Sequence, residues 1–235
     1  VAHNLINTMF FNMNAIKSGA SRPKDIARSM LSKVGILGAG MMGSGIAYAQ
    51  ASKGINTVLK DVSVEAAERG KAYSAKLTQA RVDKGKMSPD KQAELLARIT
   101  ATDQAADLAG CELIIEAVFE NRELKAKVTQ EAEAHLAAGG FFASNTSTLP
   151  ISGLAQASRD SQKFIGIHFF SPVDKMQLVE IIRGRDTDDE TLASAYDYVQ
   201  QIGKLPIVVN DSRGFYTSRT FGTFVLECAA MLGEG

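Results

Sequence analysis

Cysteine and histidine are scarce in this 235-residue chain, which holds two of the first and three of the second. Cys111 and Cys228 stand far apart in apolar surroundings and share no ligand spacing with a histidine. That excludes a disulfide framework and a His/Cys zinc site, and it reads as buried free thiols of a reducing compartment. Net charge is absent as well: Lys+Arg and Asp+Glu number 26 each, so no global field draws nucleic acid or an anionic membrane. No apolar run approaches the ~20 residues a membrane helix needs. The N-terminus shows no secretory cleavage pattern, and no repeats, low-complexity tracts or Gly-x-Ser-x-Gly elbow for acyl transfer occur. The length permits a sizeable core, as one domain or two small ones.

What is present is alternation. Residues 1–17 carry Leu5, Met9, Phe10, Met13 and Ile16 at helical spacing, and 18–24 break that pattern as a linker. From Lys33 onward strands and helices alternate, which predicts a Rossmann-like, doubly wound α/β fold with a mostly parallel sheet. Strands are expected at 34–37, 55–60, 99–102 (at an edge), 111–118, 141–144, 164–169, 178–182 and 205–209. Helices are expected at 121–138 and 188–201, with a charged segment to about Lys86 and a short helix beyond Met87–Asp90. The step Ser171-Pro-Val-Asp174 is too short for a crossover helix, so the strands around it should pair antiparallel. Residues 212–232 form an apolar helix with no sheet left to complete. The division is therefore a linker helix and linker over 1–32, a nucleotide-binding domain over 33–211, and the start of a helical domain over 212–235. The chain opens on Val1 and stops within a helical pattern, and we expect it to be a piece of a longer polypeptide.

Its densest signal is Gly38-Ala-Gly40-Met-Met-Gly43. Following a strand and opening a helix, Gly38 suits a tight turn, Gly40 a close phosphate, and Gly43 the packing of helix on strand. The next strand ends on Asp61, about twenty residues further on, where a carboxylate can hold both hydroxyls of an adenosine ribose and repel a 2′-phosphate. NAD is the expected cofactor; the rival is a helix-packing glycine turn beside a solvated aspartate.

Polar groups fall at other strand ends: Glu120, Asn145 with Ser147, and His168. His3 lies in the first helix and His135 on a solvated helix face, whereas His168 interrupts an apolar strand. Glu180 interrupts another, and a carboxylate among aliphatics is expensive unless paired. In a hairpin the two meet on one face, and such a pair makes a general base near neutral pH. The alternatives are a core histidine with one backbone partner and an edge-strand carboxylate facing water. Beside a nicotinamide the pair suits oxidation of an alcohol to a ketone, with His168 taking the hydroxyl proton and Ser147 bonding the same oxygen.

Gly38–Gly43, Glu116-Ala-Val-Phe-Glu-Asn121, Ala143-Ser-Asn-Thr-Ser147 and His168-Phe-Phe-Ser-Pro172 with Val179-Glu180 resemble the 3-hydroxyacyl-CoA dehydrogenase family, in order and spacing. The likeness runs from about Lys33 to the C-terminus. The run Ser171–Glu180 looks most like the dehydrogenase part of the multifunctional fatty-acid oxidation α subunit, and residues 1–32 look like its linker helix. The resemblance implies NAD-dependent oxidation of L-3-hydroxyacyl-CoA to 3-ketoacyl-CoA in fatty-acid β-oxidation. His168 would be the base, Glu180 its partner, and Ser147 a contact to substrate and nicotinamide ribose. Gly38, Gly40, Met42, Gly43, Asp61, Val118, Phe119, Glu120, Lys125, Ser147 and Ser171 would line the NAD site, and Ser218 would meet substrate. Ser171 and Ser218 stand where single-function relatives carry asparagine, which implies altered hydrogen bonding. Arg81, Lys84 and Lys86 either meet the CoA phosphates or form a solvated face. The same resemblance implies fusion to an enoyl-CoA hydratase, association with a thiolase, a homodimer through the helical domain, and a cytoplasmic site (the mitochondrial matrix in a eukaryote). It also implies that this piece binds NAD with its acyl-CoA cleft open. A non-catalytic NAD-binding or structural protein, as lens crystallins of this fold are, and a dehydrogenase of another β-hydroxy acid remain alternatives.

Overall fold

The computed structural model describes all 235 residues and begins with a rod: α1 (Ala2–Leu5), a π-helical stretch (Ile6–Asn12) and α2 (Met13–Ser18). Its apolar stripe is uncovered, with Leu5, Ile6, Met9, Phe10 and Phe11 each more than half exposed. Only its C-terminal end docks. Tyr196 donates its hydroxyl to the Ile16 carbonyl at 2.7 Å, and the Gln200 amide donates to the Ile16 and Lys17 carbonyls.

The stretch after α2 has no regular structure, yet it is not loose. Arg22 uses all five guanidinium N–H groups: Nε and Nη2 donate to Asp197 at 2.7 and 2.8 Å, while Nη1 and Nη2 reach the Pro23, Ile26 and Ala27 carbonyls. Asp197 also accepts the Ser29 N–H at 2.9 Å, and it is almost wholly buried. A planar fork matched to a carboxylate in this way fixes both distance and orientation.

From β1 (Lys33–Leu37) the chain alternates: α3 (Met41–Ala51), β2 (Asn56–Lys60), α4 (Val64–Asp83), α5 (Pro89–Ala97), β3 (Ile99–Thr102), β4 (Cys111–Glu116), α6 (Arg122–Glu133), β5 (Leu136–Ser144) and a one-turn α7 (Ile151–Leu154). Then follow β6 (Phe164–Phe169), β7 (Leu178–Arg183), α8 (Asp189–Gln201), β8 (Leu205–Asn210) and α9 (Thr217–Glu234). The sheet runs β3-β2-β1-β4-β5-β6-β7-β8, parallel except for β6 against β7. The short Ser171–Asp174 step produces that reversal, as its length requires. Side-chain hydroxyl, amide and carboxylate oxygens start the helices where sequence places them: Ser63, Ser88 before Pro89, Asn121 and Asp188 each cap a helix N-terminus.

Two apolar cores, one per face, hold the layers. One joins α3 and α8 to the sheet through Ile36, Ile46, Ile115, Val179, Ile181 and Tyr198. The other joins α7 and Phe215 to Phe142, Phe164 and Ile182. Each fully buried aliphatic or aromatic side chain contributes about 1.5–3 kcal/mol relative to exposure. No helix is long and apolar enough to cross a membrane.

Three expectations need correction. The helix expected over 121–138 stops at Glu133, because Leu136 pairs with Cys111 and draws the alanine-rich segment into β5. Gly139, at φ +77°, then allows the irregularity that restores register at Phe141. His135 consequently sits in the turn between α6 and β5, not on a helix face. Cys111 is buried but Cys228 is exposed, because α9 beyond Gly222 is uncovered on every side, with Phe221, Phe224, Leu226 and Leu232 also exposed along the helix.

Candidate functional site

The glycine turn leaves β1 for α3, and each glycine is required for a different reason. Gly38 has φ +95°, and a Cβ there would stand 2.8 Å from the Ala117 carbonyl oxygen of the adjacent strand end. At Gly43 a Cβ would overlap the Gly38 carbonyl itself. At Gly40 it would meet nothing within 4 Å, which leaves open space over the turn. Gly40 caps α3 with no side-chain hydrogen bond, so the first N–H groups of the helix stay free for an anion. Met41 is exposed and Met42 half-buried in that first turn. Asp61 closes the far side: Oδ2 accepts the Ala39 N–H and Oδ1 the Val62 N–H, both at 2.6 Å. Each oxygen keeps a lone pair for a ribose hydroxyl. Open space, free helix N–H groups and a half-buried carboxylate together fit a dinucleotide.

Sequence reading did not single out Gly70, which lets α4 press on this turn. A Cβ there would lie 2.6 Å from that of Ala39 and 2.8 Å from its carbonyl oxygen. A helical glycine among charged residues was the available signal.

The middle of the site is a charged cluster at the ends of β4 and β5. Glu116 and Lys125 are both buried, with Lys125 Nζ donating to Oε1 and Oε2 at 2.9 and 2.8 Å. Glu116 also accepts the Ser144 hydroxyl and, at 3.3 Å, the Val118 N–H. Burial pushes the Glu116 carboxyl up, against the pull of Lys125. Lys125 is thus enclosed rather than presented on the surface. Glu120, 3.4 Å from the same ammonium, accepts from the Thr146 hydroxyl and from the Ser147 N–H and hydroxyl at 2.8 and 3.2 Å. Burial raises it, but the Ser147 N–H, Lys125 and the two hydroxyls hold it below the ordinary glutamate value. Val118 is half-buried beneath Gly38, and Phe119 stands 86% exposed at the cleft.

The third part is the hairpin. His168 and Glu180 are direct partners in the antiparallel register of β6 and β7. Their neighbours Ile167, Phe169, Val179 and Ile181 belong to the α8 core, so both side chains fall on the opposite face, with Phe215. Nδ1 of His168 lies 2.8 Å from Glu180 Oε2, and Nε2 has no protein partner. Glu180 has no exposed surface and His168 keeps 7%. Burial alone would raise the Glu180 carboxyl; the hydrogen bonds of His168 and Thr217 hold it below its ordinary value.

The remaining residues fall around these parts. Asn145 ties β5 to β6 by accepting the Phe169 N–H at 2.9 Å. Ser147 turns its hydroxyl to Glu120, not to His168, and its carbonyl accepts the Ser218 hydroxyl at 3.5 Å. Ser171 is exposed and lies 3.4 Å from the Met41 sulfur, so it faces the glycine turn. Arg81 donates to the Tyr48 hydroxyl, away from the dyad. No group of three or more His, Cys, Asp or Glu residues could hold a metal.

Residues 33–212 match the family model described as 3-hydroxyacyl-CoA dehydrogenase, NAD binding domain. Among solved structures, an (S)-3-hydroxybutyryl-CoA dehydrogenase from Ralstonia eutropha is 39% identical at a TM-score of 0.84, covering 88% of this chain and 73% of its own. FadB2 of M. tuberculosis is 30% identical at 0.83, with the same two coverages of 88% and 73%. The dehydrogenase part of multifunctional enzyme 1 from C. elegans is 25% identical at 0.72, covering 85% of this chain and 48% of its own.

Proposed function

The chain belongs to the 3-hydroxyacyl-CoA dehydrogenase family of NAD-dependent oxidoreductases, and on that premise we propose that it oxidises L-3-hydroxyacyl-CoA to 3-ketoacyl-CoA with His168 as base and Glu180 as its orienting partner. One observation carries this reading: a buried, in-register imidazole–carboxylate pair with a free Nε2, on the same sheet edge as a glycine turn that fits a dinucleotide.

NAD, when bound, supplies the hydride acceptor. The first-turn N–H groups of α3 hold its pyrophosphate and Asp61 its adenosine ribose. Ser171, Phe119, Glu120 and Ser147 line the path toward the hairpin, and Lys125 fixes Glu116 and Glu120 from below. His168 Nε2 accepts the proton of the 3-hydroxyl as the C3–H bond gives up its electron pair and the carbonyl forms. Nδ1–H donates to Glu180 throughout, which sets the tautomer and stabilises the imidazolium. Ser147, with Ser218 against its backbone, holds the reacting oxygen once its hydroxyl turns from Glu120 to the bound substrate.

Residues 33–211 then form the NAD-binding unit, 1–32 a linker helix, and 212–235 the opening of a helical domain over the acyl chain. The likeness to the dehydrogenase part of a multifunctional enzyme supports one unit among several. The proposal extends this to a hydratase in the same polypeptide, an associated thiolase, a homodimer through the helical domain, and a role in β-oxidation in the cytoplasm or the mitochondrial matrix. The test is NADH oxidation with acetoacetyl-CoA. His168→Gln should abolish turnover while calorimetry still detects NAD; undiminished activity in that variant refutes the assignment. NAD binding with no turnover in the complete parent protein would favour a non-catalytic role instead.

A further inference from the structure

Glu180 has more partners than an orienting carboxylate needs. Besides His168 Nδ1, its Oε2 accepts the Thr217 hydroxyl at 2.8 Å, and its Oε1 accepts the N–H groups of Tyr216 and Thr217 at 3.1 and 2.8 Å. Two of the three donor residues to this carboxylate thus come from the start of α9, 36 and 37 residues further along the chain.

The backbone there is contorted in a way that serves this contact. Gly214 has φ +72° and Phe215, which carries a side chain, has φ +51°. A non-glycine residue in that region costs about 1–3 kcal/mol and persists only where its surroundings enforce it. Phe215 is 3% exposed, packed with Ile182 and Phe164, with its ring 6.2 Å from that of His168. The two left-handed residues turn the chain so that successive N–H groups aim at one carboxylate oxygen. Packing of Phe215 holds the turn in place, and α9 starts from it.

We infer that Thr217 is a positioning residue of the dyad, whose hydroxyl shares Oε2 of Glu180 with His168 Nδ1 and thereby sets both the placement of the carboxylate and the strength with which it supports the imidazolium. This rests on the His168–Glu180 reading above and extends it to α9. A donor that shares an acceptor oxygen draws charge away from the other bond. With the Thr217 hydroxyl in place, Glu180 is held rigidly and its pull on the imidazole is moderated. Without it, the same oxygen serves His168 alone from a looser anchor.

Other charged groups on the segments meeting here are engaged elsewhere or unpaired. Glu120 accepts from Thr146 and Ser147, and Asp211 accepts the Ile151 and Ser152 N–H groups. Arg213 and Arg219 enter no ion pair, and the β8 neighbour of Glu180 is Ile207. The His168 imidazole is therefore the only ionisable group bonded to Glu180.

The test compares Thr217→Val, which keeps the shape and the backbone N–H but loses the hydroxyl, with Thr217→Ser, which restores the donor. Two readouts are taken: the pH profile of kcat/KM with acetoacetyl-CoA and NADH, and proton NMR of the His168 Nδ1–H in the NAD-bound protein. Thr217→Val should displace the pH profile of kcat/KM and shift the Nδ1–H resonance. It should lower kcat about tenfold while the KM for NADH changes less than twofold. Thr217→Ser should return both to wild type. A Thr217→Val protein whose pH profile, Nδ1–H resonance and turnover match wild type overturns the inference. Glu180→Gln separates the two levels: if it too leaves turnover intact, the dyad itself fails, whereas its loss of turnover beside a silent Thr217→Val removes only the role of Thr217.

Discussion

The glycine turn and the hairpin dyad stand on the same sheet edge but are built by opposite means. The turn is made almost wholly of backbone: three glycines, free helix N–H groups and one carboxylate, all within residues 38–61. The dyad is made of side chains drawn from β6, β7 and α9, and its members gain meaning only when folded together. A backbone site is sensitive to volume and indifferent to most chemistry. A side-chain site is sensitive to single atoms. Cofactor binding and catalysis should therefore separate cleanly under mutation.

The sharpest separation comes from Glu180→Gln. It should cut turnover on the order of a thousandfold, since a general base contributes about 10²–10⁴, yet leave NAD affinity in calorimetry nearly unchanged. An equal loss of both would mean that the two halves are not independent. Next is Gly43→Ala, where a single methyl collides with the Gly38 carbonyl. A destabilisation of about 1–3 kcal/mol in urea titration is expected, together with loss of NAD binding. Retained affinity would show that the turn tolerates volume after all. Asp61→Asn keeps the shape and loses the charge. The Kd for NAD should rise about tenfold, with kcat at saturation unchanged.

The smallest effect concerns acid stability. Glu180 is held below its ordinary value, so its contribution is fully present above the unfolded carboxyl range and is lost as pH falls through the lowered folded value. Between pH 5 and 3, wild type should lose more unfolding free energy than Glu180→Gln, by on the order of 1 kcal/mol. Equal slopes would place the acid sensitivity elsewhere, for instance at Glu120 or Asp188.

The same contrast explains what was legible from sequence. Gly38, Gly40, Gly43 and Asp61 form a local pattern, and their geometry follows from spacing alone. The antiparallel turn between β6 and β7 was legible because four residues cannot carry a helix across a sheet. His168 and Glu180 could be paired on that basis, since two polar residues in neighbouring apolar strands each need a partner. Thr217 could not, because nothing in Phe-Tyr-Thr-Ser announces a donor to a carboxylate 37 residues earlier. Nor could the Glu116–Lys125 bond, because nothing in the spacing announces that a strand-end glutamate closes on a lysine in the first turn of the next helix. The false extension of α6 past Glu133 has the same origin: Leu136–Ala138 favour helix locally, and a strand partner at Cys111 overrides them.

The two-pronged grip of Arg22 on Asp197 has a consequence in time. The two residues are 175 positions apart, so the grip has nothing to hold until most of the sheet exists. At a synthesis rate of about 5–20 residues per second, Arg22 waits roughly 10–35 s for its carboxylate. Through that interval residues 19–31 lack the α8 partners that Arg22, Ser29 and Leu31 bond in the folded chain. A segment made before any strand of the sheet is thus fastened only after seven of the eight strands have been made.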